Sequence, residues 1–235
     1  MQTVKEQANT RRVQRSGLRE SVYESILGML VENEFAEGTP LRVEALAQLL
    51  EVSPTPVREA LVQLEATGLV NYVANKGYTV APQLSAADMA SMMDARLVLE
   101  VAAVRRAAEL ADPALARHLR KLLDGQKKAA ARVADFKGER QKAALRDYLK
   151  LDHQFHDGIL QGCGNKFLFR MAASLDAQAQ RVRQSFLNGI PDAEDVLAEH
   201  HAVADAIAAG DPEAAENAIT KHLQRVLSLS LEQTG

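Results

Sequence analysis

The sequence predicts a mainly α-helical protein with one small β-hairpin wing close to its N-terminal end. Three observations carry this. Ala and Leu dominate, aromatics make up 4% of the chain and Trp is absent, a composition that favours helix. The stretch from Ala45 to Val70, ALAQLLEVSPTPVREALVQLEATGLV, reads as two short helices and a tight connection. From Ser85 onward, apolar residues recur at helical spacing in segments separated by Gly, Asn-Gly and Asp-Pro breaks. A chain of 235 residues holds one large domain or two small ones with proper cores.

Residues 1–17 are polar and basic and close on Ser16-Gly17. They are expected to be a flexible arm, either a bland mobile tail or a DNA-seeking one. Leu18, Val22, Ile26, Met29 and Leu30 then repeat at helical spacing, so a helix is expected over 18–33. Gly38-Thr39-Pro40 is a turn. The next helix runs through Ala45, Leu46, Leu49 and Leu50, whose spacing gives one apolar face. Ser53 can cap the helix that follows with its hydroxyl, and Pro54 and Pro56 are tolerated in a first turn whose amides lack partners. That helix turns Val57, Leu61 and Leu64 inward and leaves Thr55, Arg58 and Gln63 elsewhere. A capped, Pro-started helix after a short turn is a helix-turn-helix pattern, which enters the DNA major groove N-terminus first. Gly68 ends it. Leu69–Val73 and Tyr78–Val80 alternate as two strands around Ala74-Asn75-Lys76-Gly77, a hairpin with a basic residue and a Gly near its tip.

Ala81-Pro82-Gln83 is a linker. Ser85 and Asp88 form a capping pattern, and helices are expected over about 86–110, 113–132, 139–161, 166–188, 191–210 and 212–232. Six or seven helices with short breaks make an antiparallel bundle. The organisation is thus an arm (1–17), a winged helix-turn-helix domain (18–82) and an all-helical domain (85–233).

Charge and cysteine usage narrow the function. The net charge is −3, which argues against a non-specific nucleic-acid coat protein. Residues 1–19 carry five Lys/Arg against Glu6 alone, whereas residues 20–83 carry Arg42, Arg58 and Lys76 against nine Glu. A DNA-binding domain this acidic must gather its cations on one face. The one cysteine, Cys163, excludes an internal disulfide and fits a reducing cytoplasm; it reads as a small buried residue. No apolar run approaches the roughly 18 residues of a membrane span.

A second constellation lies in the helical part. Asp152 and His156 are four apart, so both project from one helix face. His200 and His222 lie on two further helices. Three imidazoles and a carboxylate could form the shell of a divalent metal, zinc first, with nickel or manganese as alternatives. His118, His153 and His201 read as surface or packing residues.

These motifs carry a family resemblance. Leu41-Arg42 through Ala47, then VSPTPVREALVQLEATGLV and NKGYTVA, resemble the winged helix of GntR transcription regulators over about Leu18 to Pro82. Pro54 stands where that family usually has an Arg or Lys that contacts DNA, and Val43 where Glu is frequent. Residues 85–233 resemble the effector-binding FCD domain of the FadR branch, through Arg96 and Glu100, Asp152-x-x-x-His156, Gly164-Asn165, Glu199-His200 before AVADAIAAGD, and His222-Leu223. The resemblance implies a ligand-responsive DNA-binding regulator, a repressor, that binds a palindromic operator as a homodimer and is cytoplasmic and not an enzyme. Arg42, Ser53, Thr55, Arg58, Lys76 and Gly77 would meet DNA. Asp152, His156, His200 and His222 match the family's usual metal ligands. Arg96, Arg181 and Asn165 are the candidates for a small carboxylate effector, with Arg181 and also Arg183 weaker than Arg96; Arg96 could equally pair with Glu100 at i+4. The alternative is a metal-dependent hydrolase or lyase built on the same aspartate and three histidines.

Overall fold

The computed structural model describes residues 4–185 and 193–232, and side chains over 17–182 and 193–231. The chain divides into two compact units, Met1–Gln83 and Leu84–Gly235.

The first unit contains α1 (Val4–Val31), α2 (Val43–Leu49), α3 (Pro54–Ala66) and the strands β1 (Val70–Val73) and β2 (Gly77–Val80). Its core joins Val22, Ile26 and Leu30 of α1 to Leu46 of α2, Val57, Leu61 and Leu64 of α3, and Leu69 and Val80 at the wing. Gly68 follows α3 at φ 75°, the left-handed conformation that lets the chain turn sharply into β1. The strands pair antiparallel from Val70↔Val80 to Val73↔Gly77, and the Tyr72 and Tyr78 rings meet edge to face at 5.1 Å.

Four details differ from expectation. No break occurs at Ser16-Gly17, because α1 is continuous from Val4. The intervening residues are mostly good helix formers, and one interior Gly costs about 1 kcal/mol. Leu18 is exposed, as is Leu49, while Ala47 takes the inward place on α2. One residue of helix is 100°, so a short helix sets its buried face by tertiary packing rather than by its first apolar residue. Ser53 holds the N-cap backbone conformation of α3 without a side-chain hydrogen bond. Pro56, at the third helical position, has already removed one of the two amides it could serve.

The second unit is all helix: α4 (Ala86–Leu110), α5 (Pro113–Asp135), α6 (Glu139–Gly162), α7 (Lys166–Ser185), α8 (Ala193–Ala209) and α9 (Pro212–Glu232). Six helices match the sequence expectation to within a few residues. The expected breaks at Asn188-Gly189 and Pro191-Asp192 lie outside the described residues. Local chemistry explains the starts. The Ser85 hydroxyl accepts from the Asp88 amide at 3.1 Å, and the Asp112 carboxylate accepts from the Ala114 amide at 2.8 Å ahead of α5. Ser85 also donates to the Asp88 carboxylate at 2.6 Å.

The hairpin of α5 and α6 frames one side of the functional centre. A Cβ on Gly125 would meet Leu151 at 3.3 Å, one on Gly158 would meet Leu119 at 3.4 Å, and one on Gly162 would meet Leu115 at 2.5 Å. Three glycines along one seam let the two helices approach closely. The core of the unit gathers Met89, Val104, Leu119, Phe155, Val203 and Leu223 from α4, α5, α6, α8 and α9.

Candidate functional site

Three histidines from three helices converge in that core. His156 is on α6, His200 on α8 and His222 on α9, and all three are buried. One ring nitrogen from each lies within 4.8 Å of the others. Phe155 stacks on His200 at 4.2 Å and fixes the plane of that ring.

Each imidazole is held from behind at Nδ1. His156 Nδ1 is 2.6 Å from Glu100 Oε2 of α4. His200 Nδ1 is 3.3 Å from Gln126 Oε1 of α5. His222 Nδ1 is 2.9 Å from Glu199 Oε2 of α8. The two carboxylates and the amide oxygen are acceptors, so each Nδ1 is the donor. In the neutral imidazoles this leaves a lone pair on every Nε2. His156 Nε2 is buried with no hydrogen-bond partner, and His200 Nε2 and His222 Nε2 are 3.3 Å apart. Lone pairs converging in a buried cluster repel one another. A divalent cation there would satisfy them, and imidazoles backed by carboxylate or amide acceptors are how proteins orient such ligands.

The charges behind the histidines are themselves balanced. Burial alone would raise the Glu100 carboxyl, but Arg96 and then His156 outweigh it and hold it well below its ordinary value. Arg96 Nε donates to Glu100 Oε1. Burial likewise opposes ionisation of Glu199, and hydrogen bonds from His222 and Arg225 outweigh it, setting the carboxyl at about 2. Arg225 grips Glu199 with two parallel bonds, 2.8 Å to Oε1 and 2.9 Å to Oε2, the bidentate fork that suits a guanidinium.

Asp152 is buried one turn before His156 on α6. Its Oδ1 is 3.9 Å from His200 Nε2 and accepts from Gln126 Nε2 at 3.1 Å. Gln126 therefore holds two of the four candidate ligands at once, with one end on Asp152 and the other on His200. The three nominated histidines thus come together with their ligand atoms within 4.8 Å of one another, while Asp152 approaches His200 and stands outside that group.

The effector candidates separate. Arg96 lines a cavity of about 120 Å³ with Glu100, His153, His156, Leu160 and Asp176, and its ion pair with Glu100 is the bland alternative made real. Arg181 is buried on α7 and is not among the residues lining that cavity. The Asn165 carboxamide oxygen accepts from the Phe167 and Leu168 amides at 3.0 and 3.3 Å, so it caps α7 and does not line the cavity either. The Arg183 side chain lies outside the described residues. His153 is only partly a packing residue: its Nδ1 is 2.9 Å from Asp176 Oδ1 at the cavity wall.

Sequence reasoning missed Gln126 and Arg225, and it named Glu199 only as a family mark, not as the support of His222. Glu199 does point away from its neighbour His200, as helix geometry requires, and it reaches His222 on another helix instead. A buried-side Glu next to a candidate ligand was the available signal. For Gln126, a polar residue inside the apolar face of α5 was the signal.

In the first unit, Arg42, Ser53, Thr55, Arg58 and Lys76 are exposed, and Gly77 is half-buried. Thr55, Arg58 and Val62 form one exposed stripe on α3 at i, i+3 and i+7, and Val62 was not singled out from the sequence. Arg19 of α1 pairs with Glu59 at 2.6 Å, which leaves Arg58 as the cation of the α3 stripe.

Comparison with known proteins agrees with both units. The family described as bacterial regulatory proteins, gntR family, matches residues 18–80, and the FCD domain matches residues 91–225. The chain belongs to the GntR family, FCD branch. The transcriptional repressor GlaR of Escherichia coli K12 is 30% identical over 83% of this chain and 87% of its own length. The transcriptional repressor RspR of the same organism is 27% identical over 89% of this chain and 87% of its own. The structure of E. coli McbR/YncC superposes with a TM-score of 0.77 at 20% identity, covering 93% of this chain and 99% of that one, which shows the fold. This GntR-family protein is a transcription regulator and not an enzyme, which sets the hydrolase or lyase alternative aside. Glu100 and Glu199 are also spent on holding rings, and Asp152 accepts from Gln126. Among the described residues, no helix is long and apolar enough to cross a membrane.

Proposed function

We propose that this GntR-family regulator is a repressor that binds a two-fold operator as a homodimer and senses a small organic acid beside a divalent metal. The observation that carries the sensing part is the trio of Nε2 atoms, each ring backed by an acceptor at Nδ1. Asp152, His156, His200 and His222 would hold the metal, with zinc the first choice for this nitrogen-rich set. The metal would supply a Lewis-acidic centre to which a carboxylate oxygen binds. Arg96 stands in the adjoining cavity wall and offers that carboxylate a guanidinium shared with Glu100. The DNA-reading part rests on the exposed N-terminal stripe of α3 and on Lys76 and Gly77 of the wing. Effector binding would shift the population between two arrangements of the DNA-reading heads.

The test is selection of binding sites from a random duplex pool with the full-length protein and zinc at low salt. An inverted repeat is the expected product, and Arg58→Ala should weaken binding to it by about 1–3 kcal/mol. No enrichment, or an Arg58→Ala variant of unchanged affinity, would overturn the assignment of α3.

A further inference from the structure

Charge in the second unit is strongly segregated. From Pro113 to Lys150, covering α5, the turn and the first half of α6, there are eleven Lys/Arg against four Asp/Glu, a net of +7. The rest of residues 84–235 holds nine Lys/Arg against seventeen Asp/Glu, a net of −8. All eleven hairpin cations are exposed. The apolar residues of α5, among them Leu115, Leu119, Leu123 and Val133, point the other way into the core. Some of the cations are in exposed ion pairs: Arg132 meets Asp147 at 3.0 Å, Lys142 meets Glu139 at 2.8 Å and Arg120 meets Asp205 at 3.1 Å.

Arg117, Lys121 and Lys128 fall on one stripe of α5, at spacings of four and seven residues, and Lys127 lies beside them. From Arg117 to Arg132 the helix rises roughly 22 Å. Folding gains nothing from such crowding of like charge on an outer face. Beyond the basic residues 1–19, the DNA-reading unit is the opposite case: residues 20–83 hold three Lys/Arg and nine Glu.

We propose that the outer face of the α5–α6 hairpin is a second, sequence-independent contact for the phosphate backbone of duplex DNA. Phosphate binding is driven by the release of counterions and scales with the number of cations engaged. The acidic head has few to offer, and the hairpin has many. The face displays no large exposed apolar side chain for insertion into a lipid surface, so the chemistry favours a polyanion contacted by charge alone. This goes beyond operator recognition: α3 and the wing select a sequence, and the hairpin supplies affinity that ignores it.

The test uses full-length protein and a long mixed-sequence duplex, with anisotropy titrations between about 50 and 200 mM salt. Combined Lys121→Gln, Lys127→Gln and Lys128→Gln should lower the slope of log K against log salt by about 2–3, since each phosphate contact contributes roughly 0.9. The matching triple Lys→Arg variant should keep the slope. A Gln variant with the wild-type slope overturns the proposal, as does a wild-type protein that does not bind this duplex. Neutralisation that changes the sedimenting mass and not the DNA slope would also overturn it, because the face would then serve a second copy of the chain. The Gln variant should still prefer a selected inverted repeat. Loss of that preference on Arg58→Ala alone would test the operator reading separately.

Discussion

Replacing Gln126 with Leu removes one side chain and two hydrogen bonds from the centre of the second unit. Gln126 is fully buried. It donates to Asp152 at 3.1 Å and accepts from His200 at 3.3 Å. A bond to a charged group is worth about 1.5–3 kcal/mol and a neutral one about 0.5–1.5. The apolar burial of Leu offsets part of this, so the metal-free protein should lose ~2 kcal/mol, or roughly 4–8 °C in Tm at this size. The larger effect should be on metal. Without Gln126 the Asp152 carboxylate and the His200 ring lose a shared support, and loss of such support costs about 10–100-fold in affinity. The assay is competitive titration of zinc against a chelator, with thermal unfolding measured in parallel. Val133→Ala, a core truncation farther along α5, serves as the control for destabilisation alone. A Gln126→Leu variant that loses stability yet binds zinc as tightly as wild type would refute the reasoning, since Gln126 would then be packing and nothing more.

Three further outcomes follow from the same geometry. Chelation should lower the Tm of the α-helical unit, because a ligand at 100 times its Kd stabilises by about 2.7 kcal/mol; the measurement is calorimetry with and without chelator, and an unchanged helical transition would count against a bound metal. Gly68→Ala should destabilise the winged unit by about 1–2 kcal/mol, because φ there is 75° and an L side chain clashes in that region; urea unfolding checks it. The Tyr78 phenol is raised above its ordinary value of 10.0, by burial first and then by Glu65 and Tyr72, against a smaller lowering by Arg58. Its contribution to stability is therefore complete below pH 10 and is lost as pH rises through the folded value. The difference in ultraviolet titration between wild type and Tyr78→Phe should show a midpoint above 10.

Much of the fold is written in local signals. Ser85, Asp112-Pro113, Gly138 and Gly164-Asn165 mark helix ends through chemistry confined to a few neighbours, so α4 to α7 start where the sequence says. The wing is local too, set by Gly68, Asn75 and Gly77. The four candidate ligands could be nominated because Asp152 and His156 share a face by spacing. Their supports could not. That Glu100 backs His156 across 56 positions, or that Glu199 serves His222 and not its neighbour His200, depends on how far each helix is rotated against the next. Helical periodicity leaves that rotation open. The same freedom explains Leu49, whose apolar character says inward while the seating of the seven-residue α2 says otherwise. Arg96 shows a different boundary: both of its readings were visible, and only the geometry showed that pairing with Glu100 and lining the cavity coexist.

The three glycines of the α5–α6 seam have a mechanical meaning. Each receives a bulky residue of the opposite helix, Leu151 at Gly125, Leu119 at Gly158 and Leu115 at Gly162. A one-turn slip of about 5.4 Å would push Leu151 off Gly125 onto Lys121 or Ala129, both of which carry a Cβ. The seam thus works like a key in its wards, free to separate but not to slide. Gln126 and Asp152 meet along it at 3.1 Å, so sliding of one helix on the other cannot change which residues they face. Glu100 on α4 and His200 on α8 reach α6 from outside the seam, so its glycines place no such restraint on them.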